Sequence, residues 1–95
     1  MEATVQFEES DTKGRAYLDQ DGATVGEMTY SKAGADLIII DHTEVAESMR
    51  GKMAGKKLLV AVVEMAREKG IKIMPLCPFA RAMFQKDASL RDVLK

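Results

Sequence analysis

The chain has 95 residues, 46% of them hydrophobic, which is enough for one modest core. We therefore take residues 1–95 as a single domain and expect a cleft, or a site shared between subunits as in a homodimer, rather than a deep pocket. Fourteen basic residues against fifteen acidic ones leave a net charge of -1, which argues against bulk attraction to nucleic acid or to an anionic membrane.

The chain starts with Met1-Glu2-Ala3-Thr4, acidic and without the apolar stretch of a signal peptide. Thr4-Val5-Gln6-Phe7 alternates polar and apolar and reads as a strand, and Arg15-Ala16-Tyr17-Leu18 as a second. Asp21-Gly22 signals a hairpin into a third strand, Ala23 to Tyr30. There Gly26, Met28 and Tyr30 share one face, and Val25, Glu27 and Thr29 the other. Leu37 to Val45 is the fourth strand. Its Leu-Ile-Ile-Ile run is apolar on both faces, as expected of a central strand.

From about Arg50 to Lys69 the period becomes helical, with Leu58, Val62, Met65 and Ala66 on one stripe and Gly70 as the stop. The longest apolar run here, Leu58 to Val63, is too short to span a bilayer. Ile71 to Met74 is a fifth strand, so strand, helix and strand suggest a parallel crossover. Phe79 to Gln85 reads as a short helix with Pro78 at its first position, and Ser89 as the cap of a last turn. The fold class is mixed α/β.

Chemistry concentrates at three places. The turn Gly51-Lys52-Met53-Ala54-Gly55-Lys56-Lys57 opens the long helix, where unpaired N–H groups suit an anion. It is one residue short of a P-loop and has Lys57 where Ser or Thr would bind magnesium, so a general anion cradle or a solvated turn are the two readings. His42, the only histidine, shares a face with Glu44, while alternation puts Asp41 and Thr43 on the other face. It reads as a general base or as a structural strand-end residue. Cys77, the only cysteine, precedes a helix start and fits a reducing cytoplasm. A thiol there is favoured as thiolate, and adjacent parallel strands would bring Cys77 and His42 together as an activated nucleophile. The alternative is a small buried hydrophobe. One Cys, one His and scattered carboxylates do not make metal-ligand spacing, so no metal is expected.

Three runs, His42-Thr43-Glu44-Val45, Arg50-Gly51-Lys52-Met53-Ala54-Gly55-Lys56 and Pro75-Leu76-Cys77-Pro78-Phe79, resemble the small, minimal GNAT-type N-acetyltransferases. The resemblance runs from about Gly14 to Leu94. It implies a GNAT-like mixed sheet, with antiparallel N-terminal strands, a parallel crossover, and fourth and fifth strands that splay apart. Acetyl-CoA would lie in the gap as cosubstrate. Its pantetheine arm would pair with the backbone near Thr43, Glu44 and Val45, and its pyrophosphate would sit on the turn from Arg50 through Lys56. Pro78 and Phe79 would also contact it. By the same resemblance His42 and Cys77 would be catalytic; Glu44, on the face of His42, is read as assisting it, and the acceptor would be an amine on a small molecule or a protein lysine. In the family pattern Arg/Gln-x-x-Gly-x-Gly/Ala, Arg50 and Gly55 fit and Met53 replaces the first glycine. The tyrosine and the His-Pro pair of relatives are here Met83, Asp87 and Ala88. These departures motivate the alternative of a non-catalytic CoA-binding or sensing module.

Overall fold

A computed structural model describes residues 4–49, 51 and 53–95. Five strands form one sheet in chain order: β1 (Gln6–Glu9), β2 (Lys13–Gln20), β3 (Ala23–Lys32), β4 (Leu37–Val45) and β5 (Lys72–Pro75). The first four pair antiparallel, and β5 joins β4 in parallel. Helix α1 (Ala54–Lys69) makes the crossover, and α2 (Pro78–Lys86) follows β5. Short 3₁₀ turns cover Glu47–Met49 and Ala88–Val93.

The β2–β3 hairpin turns on Asp21 and Gly22, both at positive φ, which suits the right-handed twist of the strands. β1 is shifted toward the turn relative to the Thr4–Phe7 alternation. Its charged end is held because Glu8 pairs with Arg15 and Glu9 with Lys32, each at about 3 Å. α1 starts at Ala54 rather than near Arg50. Gly51 (φ 80°) and Met53 (φ 59°) are left-handed, so the helix cannot begin before them. It ends as expected at Gly70, also left-handed, whose N–H reaches Ala66 and Arg67 carbonyls. The last turn is capped by Asp87 rather than Ser89: the Asp87 carboxylate accepts from the Ser89 N–H at 3.0 Å.

The helical stripe buries Leu58, Leu59, Val62, Val63 and Ala66 against Ala16, Leu18, Met28, Tyr30, Ile38, Ile40 and Ile73. Each large apolar side chain contributes roughly 1.5–3 kcal/mol on burial. Phe84, Leu90 and Val93 close the core at the β5 end. Among the described residues the other sheet face has no such cover. Every side chain directed to it, Arg15, Tyr17, Glu27, Thr29, Ile39 and Glu44 among them, is exposed or half-buried. β4 is thus interior to the sheet but apolar-packed on one side only, and Leu37 and Ile39 remain half-buried.

Candidate active site

The site begins with an irregularity in β4. Thr29 of β3 faces His42, but the next residue, Tyr30, faces Ile40, so Asp41 is an extra residue in the ladder. The Ser31 hydroxyl donates to the Asp41 carboxylate across the bulge. The extra residue shifts the phase of everything after it. Ile38 and Ile40 point into the core, and strict alternation would send His42 and Glu44 after them. Instead Thr43 and Val45 take the inner face, while His42 and Glu44 turn to the open one.

His42 Nε2 and Glu44 Oε1 lie 2.9 Å apart, with side chains 60% and 72% exposed. The carboxylate only accepts, so Nε2 carries the hydrogen and Nδ1 of the neutral ring keeps the free lone pair. The expected pairing of these two residues on one face therefore holds. The companion expectation for Asp41 does not. It sits beside Ser31 and Thr29 rather than with Thr43, because the bulge displaces it.

The expected convergence of Cys77 and His42 is also corrected. Cys77 is buried at the N-cap position of α2 without capping it, and its thiol donates to Thr43 Oγ1 at 3.3 Å. The same one-residue shift that turns the imidazole outward puts the threonine hydroxyl against the sulfur.

β5 follows β4 only from Leu37↔Lys72 to Ile40↔Pro75. The last ties are the Leu76 and Cys77 N–H groups, both donating to the Ile40 carbonyl at 3.0 and 3.2 Å. Beyond Ile40 the two chains part. On its other side β4 stays bonded to β3, ending with the Ala46 N–H on the Val25 carbonyl. In an antiparallel ladder alternate residues face the partner, so Glu44 turns its peptide groups to β3, and Thr43 and Val45 turn theirs to the gap.

The gap is a cleft of about 680 Å³, lined by Thr43, Val45, Gly51, Met53, Ala54, Gly55, Lys56 and Phe79. All eight were expected cofactor contacts. Pro78 opens α2 but does not line the cleft, and Arg50 and Lys52 lie outside the described residues. Four further residues line it: Met49, Met83, Lys86 and Asp87. Phe79, Met83 and Lys86 are spaced i, i+4, i+7, one stripe of α2, so the helical period was the signal that could have found the last two.

One end of the cleft is the start of α1. Met53 occupies the N-cap position and its side chain makes no capping hydrogen bond, so a helix start of this kind suits an anion. Gly55 must lack a side chain there, since a Cβ would stand 2.7 Å from Cζ of Phe79. The wall of the cleft at this point is therefore bare helix backbone against an aromatic ring. Lys56 supplies a positive charge nearby. It helps hold the Asp87 carboxyl below its usual range, behind the larger effect of the Ser89 hydrogen bonds. A splayed strand pair, a bare helix start and a lysine fit an elongated ligand with an amide-bearing arm and a phosphate group. Among the described residues no group of His, Cys, Asp or Glu is arranged to hold a metal, and no helix is long and apolar enough to cross a membrane.

Comparison with known proteins bears on the family and the fold. Residues 15–93 match the family model described as GCN5-related N-acetyl-transferase. An NMR structure of a GCN5-like candidate N-acetyltransferase from Staphylococcus aureus is 38% identical, covering 95% of this chain and 87% of its own, with a TM-score of 0.73. A ribosomal-protein-alanine N-acetyltransferase from Brucella melitensis biovar Abortus 2308 shares the fold at 21% identity and TM-score 0.68, over 81% of this chain and 62% of its own. So does AAC(6')-Iy bound to a bisubstrate analogue of CoA and acetylneamine, at 17% identity and TM-score 0.57, over 85% and 62%. No curated protein matches the chain. The chain belongs to the GCN5-related N-acetyltransferase family. It is an enzyme of the acyl-CoA-dependent N-acetyltransferase class.

Proposed function

We propose that the cleft binds acetyl-CoA and that the enzyme transfers its acetyl group to a primary amine reached from the open face of the sheet. The observation that carries this reading is the parting of β4 and β5 at Ile40. It leaves the peptide groups of Thr43 and Val45 facing a cleft that ends on the uncapped start of α1. The arm of the cosubstrate would pair with those peptide groups as an added strand, and its pyrophosphate would lie on the N–H groups of the first turn, near Lys56. Bound there, acetyl-CoA supplies an activated acyl carbon near the bulge.

His42 stands on the opposite face with Nδ1 free. It takes the proton that an ammonium acceptor must lose before the nitrogen can attack, and Glu44 steadies the imidazolium that results. Among the described residues no layer covers this face, so a small amine and a lysine side chain both have access. The two remote relatives act on a protein amine and an aminoglycoside, which supports an amine without choosing between them.

Calorimetry tests the first half: acetyl-CoA and CoA should bind with similar affinity, since both share the arm and pyrophosphate. Absence of heat from either would remove the reading. Transfer to a panel of amines tests the second half. His42→Gln should lower kcat/KM by about 100-fold, with acetyl-CoA affinity unchanged. Wild-type kcat/KM in His42→Gln would exclude His42 as the base.

A further inference from the structure

We propose that the Thr43 hydroxyl is the acid that protonates the departing CoA sulfur, and that it draws its replacement proton from Cys77. This rests on the acetyl-CoA reading above and adds a residue role to it. The bulge points Thr43 inward, and the Cys77 thiol, buried behind it, donates to Thr43 Oγ1. A hydroxyl that accepts from the sulfur behind it has its own hydrogen to donate elsewhere. Thr43 is also a lining residue of the cleft, so that hydrogen is available to whatever occupies it.

The other polar side chains of the cleft are Lys56, Lys86 and Asp87. Lys86 and Asp87 stand at the end of α2, nine residues long, so about 13 Å of helix separates them from the Cys77 end. Lys56 is close enough to Asp87 to act on its charge. Met83, a side chain with no hydrogen to donate, also lines the cleft. Among the described lining residues, Thr43 is the one whose hydroxyl is backed by a buried thiol donor.

The step balances as follows. The neutral amine nitrogen bonds to the thioester carbon, and as the tetrahedral adduct collapses the C–S bond breaks with its electron pair on sulfur. That sulfur takes the Thr43 hydroxyl proton while Thr43 takes the Cys77 proton. The charge then rests on the Cys77 sulfur, beside the unpaired N–H groups of the first turn of α2. The proton surrendered by the amine reaches bulk water, and water returns one to Cys77 after the products leave. The net change is amine plus acetyl-CoA to amide plus CoA thiol.

The test uses acetyl-CoA as donor and hydroxylamine as acceptor, following release of the CoA thiol, with calorimetry of CoA binding alongside. Thr43→Val keeps the shape and removes the hydroxyl; kcat should fall at least about tenfold while CoA affinity stays within about threefold of wild type. Thr43→Ser should recover most of the rate, and its solvent deuterium isotope effect should match that of the wild type. Cys77→Ala should slow the wild type but add little to Thr43→Val, because both substitutions cut one relay. Wild-type kcat in Thr43→Val would overturn the inference. So would failure of Ser to recover the rate, or fully additive losses in the double variant. If the wild-type protein binds no CoA, the acetyl-CoA reading fails first and this inference fails with it.

Discussion

Met53 is the residue where sequence and backbone conflict most plainly. Its φ of 59° and ψ of 31° are left-handed, a conformation that costs a side-chain-bearing residue about 1–2 kcal/mol. The family pattern has glycine at this position, and the geometry supplies the reason: the chain must reverse there to present the start of α1 to the cleft. The side chain is 61% exposed, so little packing compensates. Met53→Gly should therefore stabilise the fold by about 0.5–1 kcal/mol, after the extra freedom glycine gains in the unfolded chain. Thermal unfolding should show a rise in Tm of about 2–6 °C, and calorimetry an acetyl-CoA affinity at least equal to wild type. A fall in Tm would mean that the methionine side chain holds the turn.

At the scale of elements, the decisive feature is the one-residue bulge in β4. Ser31 and Asp41 hold it through a side-chain hydrogen bond on the open face. Ser31→Ala should cost about 0.5–1.5 kcal/mol and loosen the phase of the strand after Ile40. The measurable consequence is a KM for acetyl-CoA raised severalfold with the far hairpin unaffected. An unchanged KM would show that the ladder to β3 keeps the phase without the latch. The same bulge explains what the sequence concealed. Periodicity located all five strands and both helices, the Asp-Gly hairpin and the Gly70 stop, because those depend on local pattern and turn chemistry. A bulge leaves no trace in hydrophobic alternation when the residues around it are Asp41, His42, Thr43 and Glu44, all polar. His42 and Glu44 could be placed together, since they are two apart on the same side of the bulge. The partner of Cys77 could not be placed, since it depends on which face follows Ile40.

The start of α1 shows the same limit. A basic, glycine-containing segment before an apolar stripe reads as a helix start, and the helix does begin within it, at Ala54. The left-handed Met53 was not legible, because methionine carries no preference for that conformation. Met83 and Lys86 share the stripe of α2 that carries Phe79, so the helical period held their signal, whereas Met49, in the 3₁₀ turn after β4, reaches the cleft only through tertiary packing.

Across the whole molecule, charge ties the edges to the centre. Glu9 at the end of β1 accepts from the buried Tyr30 hydroxyl of β3 at 2.6 Å and pairs with Lys32 and Lys69. Tyr30 fits there because Gly14 leaves room; a Cβ on Gly14 would lie 2.5 Å from the ring. At the other edge Arg67 of α1 holds Asp92, and the Lys95 N–H reaches the Ile73 carbonyl, so the C-terminal segment covers β5. These contacts set the pH dependence of stability. The Tyr30 hydrogen bond holds Glu9 below its usual range, Ser89 does the same for Asp87, and Arg67 for Asp92. Carboxyls lowered in the folded state stabilise it above their unfolded pKa and lose that contribution as pH falls through the folded values. Burial, then Glu9, raises Tyr30 well above the usual tyrosine range, so its contribution is complete below about pH 10 and lost above it. Tm should be level between about pH 5 and pH 9, fall below about pH 4, and fall again above about pH 10. Tyr30→Phe should flatten the alkaline limb. An alkaline limb unchanged in that variant would assign it to other groups.

The central claim is that an acyl-CoA lies in the gap between β4 and α2, with its phosphates on the start of α1. An amide NMR titration with acetyl-CoA tests it at the level of single residues. The account predicts the largest shifts at Thr43, Val45, Gly51, Ala54, Gly55 and Phe79, with little change at the Asp21-Gly22 hairpin tip. Shifts confined to Arg15, Tyr17 and Glu27 on the open face, with the cleft residues unmoved, would contradict it.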